Sequence, residues 1–441
     1  MGFLLLHQIL IMEKLFDLFY QCASICTDTR KIEKECLFIC LSGDNFNGNT
    51  FAYKALDLGA KFVISDDITF CTNDQIFYVE NSLDFLQKLA HFHRQKFNFP
   101  FIGITGSNGK TSTKELINSV LSKKYKVLAT QGNLNNHIGV PLTILKVNSS
   151  HEIAIIEMGA NKFKDIEELC LIAKPTHGII TNIGKAHLEG FIDFEGVLKT
   201  KKELFDSILR SKGIIFYNSD DEVLTRILPL GIKMISYGTN KNADIQGELG
   251  SLSPYVNMKW SSSDFQSKEI ETSMIGKYNF YNFLAAISFG KFFHVDNEQI
   301  SQAIKEYEPT NNRSQIQKTT NNTVILDAYN ANPTSMKSAI ESFALIENQN
   351  KIMVLGDMFE LGLESKVEHE QIVKMVLDLK LKCYFIGSNF FQNEILKNNL
   401  IIFFKTKEDF RSKFSNQSFN NQLILLKGSR GIGLENLVEL F

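Results

Sequence analysis

An apolar run, Phe101 to Ile104, breaks into a loop with glycines at 103, 106 and 109. Lys110 and Thr111 follow, and then Leu116, Ile117, Val120 and Leu121 recur at helical spacing. Strand, glycine loop, Lys-Thr pair and helix start together make a phosphate cradle. Loop N–H groups and the helix dipole favour an anion, the ammonium neutralises phosphate, and the hydroxyl can hold Mg2+. The loop spacing departs from the common GxxxxGK rule, which needs glycine where Ile104 stands. An ordinary strand-to-helix turn is the alternative reading.

A chain of 441 residues has room for about three domains at ~150 residues each. With 44% hydrophobic and 22% charged residues it can bury several cores. The net charge of −2 supplies no global field that would recruit nucleic acid or an anionic membrane. Any anion must be held locally. No apolar run approaches the ~20 residues of a membrane span. Seven scattered cysteines read as reduced thiols in a cytosol-like compartment. Cys22 with Cys26, spaced as one helix face, and Cys36 with Cys40, spaced as one strand face, read as buried thiols rather than a zinc site. Residues 1–11 are apolar without a basic n-region, and Met12-Glu-Lys-Leu-Phe is a more ordinary beginning. The first eleven residues are therefore expected to be a start-site extension or loosely held.

The periodicities predict an α/β chain in three parts, 12–97, 98–308 and 309–441. In the first, a short helix (Leu15, Phe16, Phe19), a strand at 36–41, a turn-rich stretch at 42–49, a helix at 51–58 and a strand at 61–64 make a small α/β domain. In the second, strands near 127–128, 153–156, 178–181 and 213–217 alternate with helices, as in a mostly parallel sheet. Short alternating runs from 244 to 275 suggest an antiparallel patch, and helices follow at 279–293 and 297–307. In the third, runs at 324–326, 352–355, 384–386, 401–404 and 423–426 alternate with helices, as in a second nucleotide-binding-like domain.

Ligands of such sheets collect beyond the carboxyl ends of the strands. Glu157 and His187 each follow a buried-strand pattern, and a carboxylate with an imidazole there could ligate Mg2+. Lys201 lies in a lysine-rich helix that composition reads as a solvated face, with nothing to separate it from Lys199 or Lys202. The loop 133–141, with Asn135 and Asn136, suits an amide-rich or carboxylate ligand, or plain turn chemistry. Arg30 could hold a phosphate-bearing ligand or be a solvated arginine. Asp327 and Asn330 could meet ribose or base, Arg313 a phosphate, and Lys427 and Arg430 a carboxylate, unless they are only turn formers.

Taken together, Thr105-Gly-Ser-Asn-Gly-Lys-Thr111, Glu157-Met-Gly-Ala160, Thr181-Asn-Ile-Gly with His187, and Asn279, Asn282, Ala285 and Ala286 resemble the Mur ligase family. These are ATP-dependent amide-bond ligases of peptidoglycan synthesis. The resemblance runs from Thr27-Asp-Thr-Arg30 to Lys427-Gly-Ser-Arg430. The stretches 133–141, 327–336 and 356–362 with His369 are most similar to the branch that joins D-alanyl-D-alanine to UDP-N-acetylmuramoyl-tripeptide. It implies a small N-terminal UDP-binding domain, a central P-loop ATPase domain and a C-terminal Rossmann-like domain. It also implies a monomer in the cytoplasm, with no nucleic-acid partner.

Residue by residue, the resemblance implies that Gly106, Ser107, Asn108, Gly109, Lys110, Thr111 and Ser112 hold the ATP phosphates. Thr111 and Glu157 would hold one Mg2+, and His187 a second together with Lys201, the lysine the family carbamoylates. Asn279 and Asn282 would approach the adenine side, and Arg313, Asp327 and Asn330 the nucleotide. Thr27, Asp28, Thr29 and Arg30 would meet the UDP moiety. Asn135, Asn136, Asp357, Lys427 and Arg430 would meet substrate. Two departures stand out: Tyr278 replaces the usual His before Asn279, and Leu326 replaces a second acidic residue before Asp327. A sister ligase adding another amino acid, a folate–glutamate ligase, and a regulator with a degenerate site are the alternatives. The run 327–336 speaks against the first two. Lys110, Thr111, Glu157, His187 and Lys201, all present, speak against the third.

Overall fold

The computed structural model describes residues 12–185, 188–191, 193–310, 312–415 and 419–441. Residues 1–11 and His187, on which two expectations fall, lie outside the described residues. The fold is α/β: a small N-terminal α/β domain, a phosphate-loop domain with a mostly parallel sheet, and a C-terminal Rossmann-like domain. By internal packing the chain forms two compact units. One comprises residues up to 101 with 128–158 and 168–174, and the other comprises 102–127, 159–167 and 175–441.

In the first unit, strands Ser24–Cys26, Cys36–Ile39, Phe62–Ser65 and Ile76–Tyr78 lie side by side in that order, all parallel. The two strands at 24–26 and 76–78 are too short to show a period, and the sequence reading missed both. Cys26, Cys36 and Cys40 are buried in one apolar cluster with Phe38 and Val63. This corrects the placing of Cys22 and Cys26 on one helix face. Cys26 closes a strand, and Cys22 sits in the turn before it. Helix Ser82–Arg94 buries Phe85, Leu86, Leu89 and Ala90. His93 and Arg94 then tie it to other segments of the unit, through Val147 O at 2.8 Å and Ala173 O at 2.8 Å.

In the second unit, strand Phe101–Thr105 pairs in parallel with His177–Ile180. Ile214–Asn218, Lys233–Gly238 and Ile245–Leu249 continue the sheet in parallel, and Asn257–Ser262 turns antiparallel. The expected antiparallel patch is therefore there. The strand at 233–238 carries a lysine, serine and glycine and escaped the apolar-run criterion. Helix Tyr278–Phe292 is buried along most of its length, which explains why it shows no polar face. The C-terminal sheet has the order Gln315–Lys318, Thr323–Asp327, Leu423–Lys427, Lys351–Gly356, Lys382–Ile386, Ile401–Phe404. All its pairings are parallel except that of the first strand. Its five apolar runs were legible; the polar edge strand Gln315–Lys318 was not.

His177 starts its strand inside an aromatic nest, 5.2 Å from the Phe293 ring and 5.5 Å from Phe292. Burial, then the nearby Lys233 charge, brings its pKa down to about 4. The native ring stays neutral where the unfolded chain binds a proton, so stability is lost as pH falls from about 6.5 toward 4. We expect His177→Phe to remove about 2 kcal/mol of the acid sensitivity accumulated between pH 7 and pH 5. Urea melts of the two proteins across that range measure it, and identical pH slopes would contradict it.

Candidate active site

The phosphate loop is built by its neighbours. Gly106, at φ +147°, and Gly109, at φ +78°, take conformations that side chains resist. A methyl on Gly106 would run into the Thr181 hydroxyl, and one on Gly109 would lie 3.0 Å from Asn282 Oδ1. Ser107 N donates to Asn182 O at 3.0 Å, and Asn108 N to Asn182 Oδ1 at 3.1 Å. Ser107 Oγ donates to Gly184 O at 3.0 Å. The carbonyl of Asn108 accepts from Thr181 Oγ1 at 2.6 Å and from Asn182 Nδ2 at 2.9 Å. The segment 181–184, which follows a parallel strand, thus shapes the loop from below. Lys110 opens helix Lys110–Leu121 and donates to Gly106 O at 2.6 Å, so its ammonium lies on the loop. Thr111 is buried on the first turn and Ser112 half-buried.

Beneath the loop, Thr113 Oγ1 donates to Asn282 Oδ1 at 3.1 Å. Asn282 Nδ2 donates to Asn279 Oδ1 at 2.8 Å, and Asn279 Nδ2 to Ile275 O at 2.7 Å. This chain of amides is a brace under the loop's helix. Tyr278 is half-buried, and its hydroxyl lies 2.8 Å from Ser314 Oγ; the burial of that hydroxyl raises its pKa.

Lys201 is separated sharply from its neighbours, which corrects the reading of one solvated basic face. Helix Phe194–Arg210 buries Val197, Lys201, Leu204, Phe205 and Ile208. Those positions follow the 3.6-residue period, and 199 and 202 fall off it. Lys199 and Lys202 pair on the surface with Glu195 and Asp206. Lys201 is 2% exposed. Burial, and then the like charge of Lys110, push its pKa well below the ordinary lysine value, against a smaller pull from Asp165 and Glu203. The periodicity was the signal that could have found it.

In the C-terminal sheet, Asp327 and Lys427 are register partners on adjacent strands, and their side chains pair at 2.6 Å. They were expected to meet different ligands; the structure joins them. Ser314 N donates to Asp327 Oδ1 at 3.3 Å. Arg313 stacks on the Tyr329 ring at 3.7 Å, and Arg430 lies 5.4 Å from the same ring. Asn330 is exposed and accepts from Ala331 N. Asp357, expected at the substrate, is 1% exposed and accepts from Asn389 N and Phe390 N, each at 2.9 Å. Its carboxylate is engaged as a helix cap. His369 is buried behind it, with Nε2 accepting from Met358 N at 3.0 Å and Nδ1 facing Ser365 O at 2.6 Å. Burial lowers its pKa.

In the first unit, Glu157 ends strand Ile153–Glu157 and is 2% exposed. Asn135 Nδ2 donates to its Oε1 at 2.8 Å. Asn136 instead accepts from Ile138 N and Gly139 N, which is the turn chemistry left open above. Asp28 caps the short helix Thr29–Lys31 and grips Arg30 at 2.8 and 2.9 Å, which holds the Asp28 pKa down to about 2. Arg30 presents an exposed guanidinium of fixed direction. A separate cavity is lined by Ser42, Asn45, Asn47, Asn49, Asp66 and Tyr78.

The Mur ligase middle domain matches residues 104–290, and the Mur ligase, glutamate ligase domain matches 312–430. A UDP-N-acetylmuramoyl-tripeptide–D-alanyl-D-alanine ligase of Bacillus subtilis is 34% identical over 94% of this chain and 92% of its own. One of the same name from Rickettsia prowazekii is 32% identical over 95% of each. Among solved structures, MurF from Acinetobacter baumannii superposes with a TM-score of 0.85 at 26% identity, covering 97% of both chains. MurF ligase from Thermotoga maritima in complex with ADP gives 0.84 at 27%, over 96% of this chain and 98% of that one.

Proposed function

The chain belongs to the Mur ligase family, and we propose that it joins D-alanyl-D-alanine to UDP-N-acetylmuramoyl-tripeptide with ATP as the energy source. The observation that carries this reading is the end-to-end likeness to ligases of that name. A carboxylate is a poor acylating agent, so it must be activated. The tripeptide's terminal carboxylate attacks the γ-phosphorus of ATP, the bond to the β–γ bridging oxygen breaks, and ADP leaves. The dipeptide amine then adds to the acyl carbon, loses a proton, and phosphate departs with the C–O electron pair. No helix among the described residues is long and apolar enough to cross a membrane. The proposal puts the reaction in the cytoplasm, in a monomer divided as 12–97, 98–308 and 309–441.

The protein's part is to position and to neutralise. Gly106 to Ser112 cradle the phosphates and Lys110 offsets their charge, while Asn279 and Asn282 keep the loop's helix in place. Arg313, Asp327 and Asn330 act on the nucleotide, and Lys427 and Arg430 on substrate; Thr27 to Arg30 serve the UDP moiety. The residue types fit Mg2+: Thr111 and Glu157 offer hard oxygen donors, and the buried Glu157 carboxylate is oriented by Asn135. Bound there, Mg2+ would supply charge neutralisation on the transferring phosphoryl group. His187 and Lys201 are the proposed second set. Because its pKa is lowered, Lys201 has a neutral amine to offer CO2: the N–C bond forms, one C=O pair moves to oxygen and a proton leaves nitrogen. The carbamate is anionic, which reconciles a lysine with a cation site.

The direct test is mass spectrometry of the UDP-linked product, which should gain one dipeptide less one water; an unchanged precursor would defeat the proposal. Labelled bicarbonate should give a carbamate 13C resonance that Lys201→Ala lacks, and its absence in the parent would remove the modification. Asn135→Ala should raise the Mg2+ concentration needed for half-maximal turnover about tenfold, as expected for a residue that orients a ligand. An unchanged requirement would detach Asn135 from that role.

A further inference from the structure

The phosphate loop also touches the C-terminal domain: Asn332 Nδ2 donates to Asn108 Oδ1 at 2.8 Å. Asn332 is the N-cap of helix Pro333–Leu345, where its Oδ1 accepts from Ser335 N at 2.9 Å and the serine hydroxyl returns to the Asn332 backbone. That capping box decides which way the Asn332 amide points, oxygen to the helix and nitrogen to the loop. The Asn108 amide is decided in turn. Its oxygen faces Asn332, and its buried Nδ2 has no hydrogen-bond partner among the described residues. The Asn108 backbone has no freedom to turn away, since Thr181 and Asn182 hold its N–H and carbonyl. A buried amide nitrogen without an acceptor is costly. In a loop that holds an anion, a phosphate oxygen is the acceptor that relieves it.

We propose that Asn332 is a positioning residue for phosphoryl transfer. It turns the Asn108 amide so that Nδ2 donates to a phosphate oxygen of the nucleotide, and it does so from the C-terminal domain. The loop thereby registers whether that domain is docked. Two further contacts fix the same docking: Thr334 lies close enough to Gly184 that an added Cβ there would stand 2.9 Å from its Oγ1, and Lys185 pairs with Glu368 at 2.6 Å. The proposal rests on the ATP-dependent ligation argued above.

Two substitutions test it in the full-length protein. Asn332→Ser keeps a good N-cap but is too short to reach Asn108. Asn332→Asp keeps the cap and turns an oxygen toward Asn108, so the Asn108 amide must flip and its oxygen then faces the phosphate. Both should lower kcat about tenfold, the scale of one misplaced buried polar group, while Tm shifts by less than about 2 °C. Combined with Asn108→Ala, Asn332→Ser should add no further loss, because both act through one amide. A kcat within about twofold of the parent for both variants, or losses that multiply in the double variant, would overturn it. If the parent protein itself shows no dipeptide-dependent phosphate release, the underlying ligase reading has failed instead.

Discussion

Lys201→Ala is expected to lower dipeptide-dependent phosphate release roughly a hundredfold to a thousandfold, the range seen when a preorganised group at a charge-developing centre is lost. Lysine is ordinarily the side chain least suited to a buried site in a nucleotide enzyme. Here it is held on the apolar stripe of its helix, out of water and near a second ammonium. Both influences favour the uncharged amine, and that is the form CO2 requires. Removing the side chain should leave the helix folded, because its stripe is otherwise Val197, Leu204, Phe205 and Ile208. Added bicarbonate should not restore the rate, since the amine is gone. Turnover near the parent rate would remove Lys201 from the chemistry and leave its burial unexplained by function.

Gly106→Ala should be nearly as damaging by a different route. At φ +147° an L side chain is strained by about 1–3 kcal/mol, and the new methyl meets the Thr181 hydroxyl that itself holds the Asn108 carbonyl. The loop cannot yield toward Thr181 without releasing that bond. We expect ATP-dependent turnover to fall at least about a hundredfold, with a weaker fall in thermal stability. Thr181→Ala in the same protein should recover part of the loss by making room, and the backbone strain should keep recovery incomplete. Full activity in the single variant, measured by phosphate release, would show that the loop does not need this conformation.

The strand–loop–helix unit was legible because each of its parts has a local signature: a buried run, two glycines at positive φ, and a lysine at the helix start. The five parallel strands of the C-terminal sheet were legible for the same reason. What escaped was set by tertiary partners. Nothing local marks Ser24–Cys26 or the polar edge strand Gln315–Lys318, whose pairing depends on neighbours distant in sequence. Asp327 and Lys427 each looked like a ligand-facing charge after a strand, and only the sheet register shows that they face each other. Asp357 looked the same and proves to be capping Asn389 and Phe390. Lys201 is different, because its burial was written in the spacing of Val197, Leu204 and Ile208 around it. The Asn332–Asn108 contact spans 224 positions and had no sequence signal of its own.

In the proposed reaction, one site couples ATP cleavage to amide formation with a dipeptide. Phosphate release by the purified protein with ATP, Mg2+ and UDP-N-acetylmuramoyl-tripeptide, with and without D-alanyl-D-alanine, tests it most directly. Sustained release is expected only when all components are present, one phosphate for each ligated product. Release that is indifferent to the dipeptide, or no release with every component supplied, would contradict it.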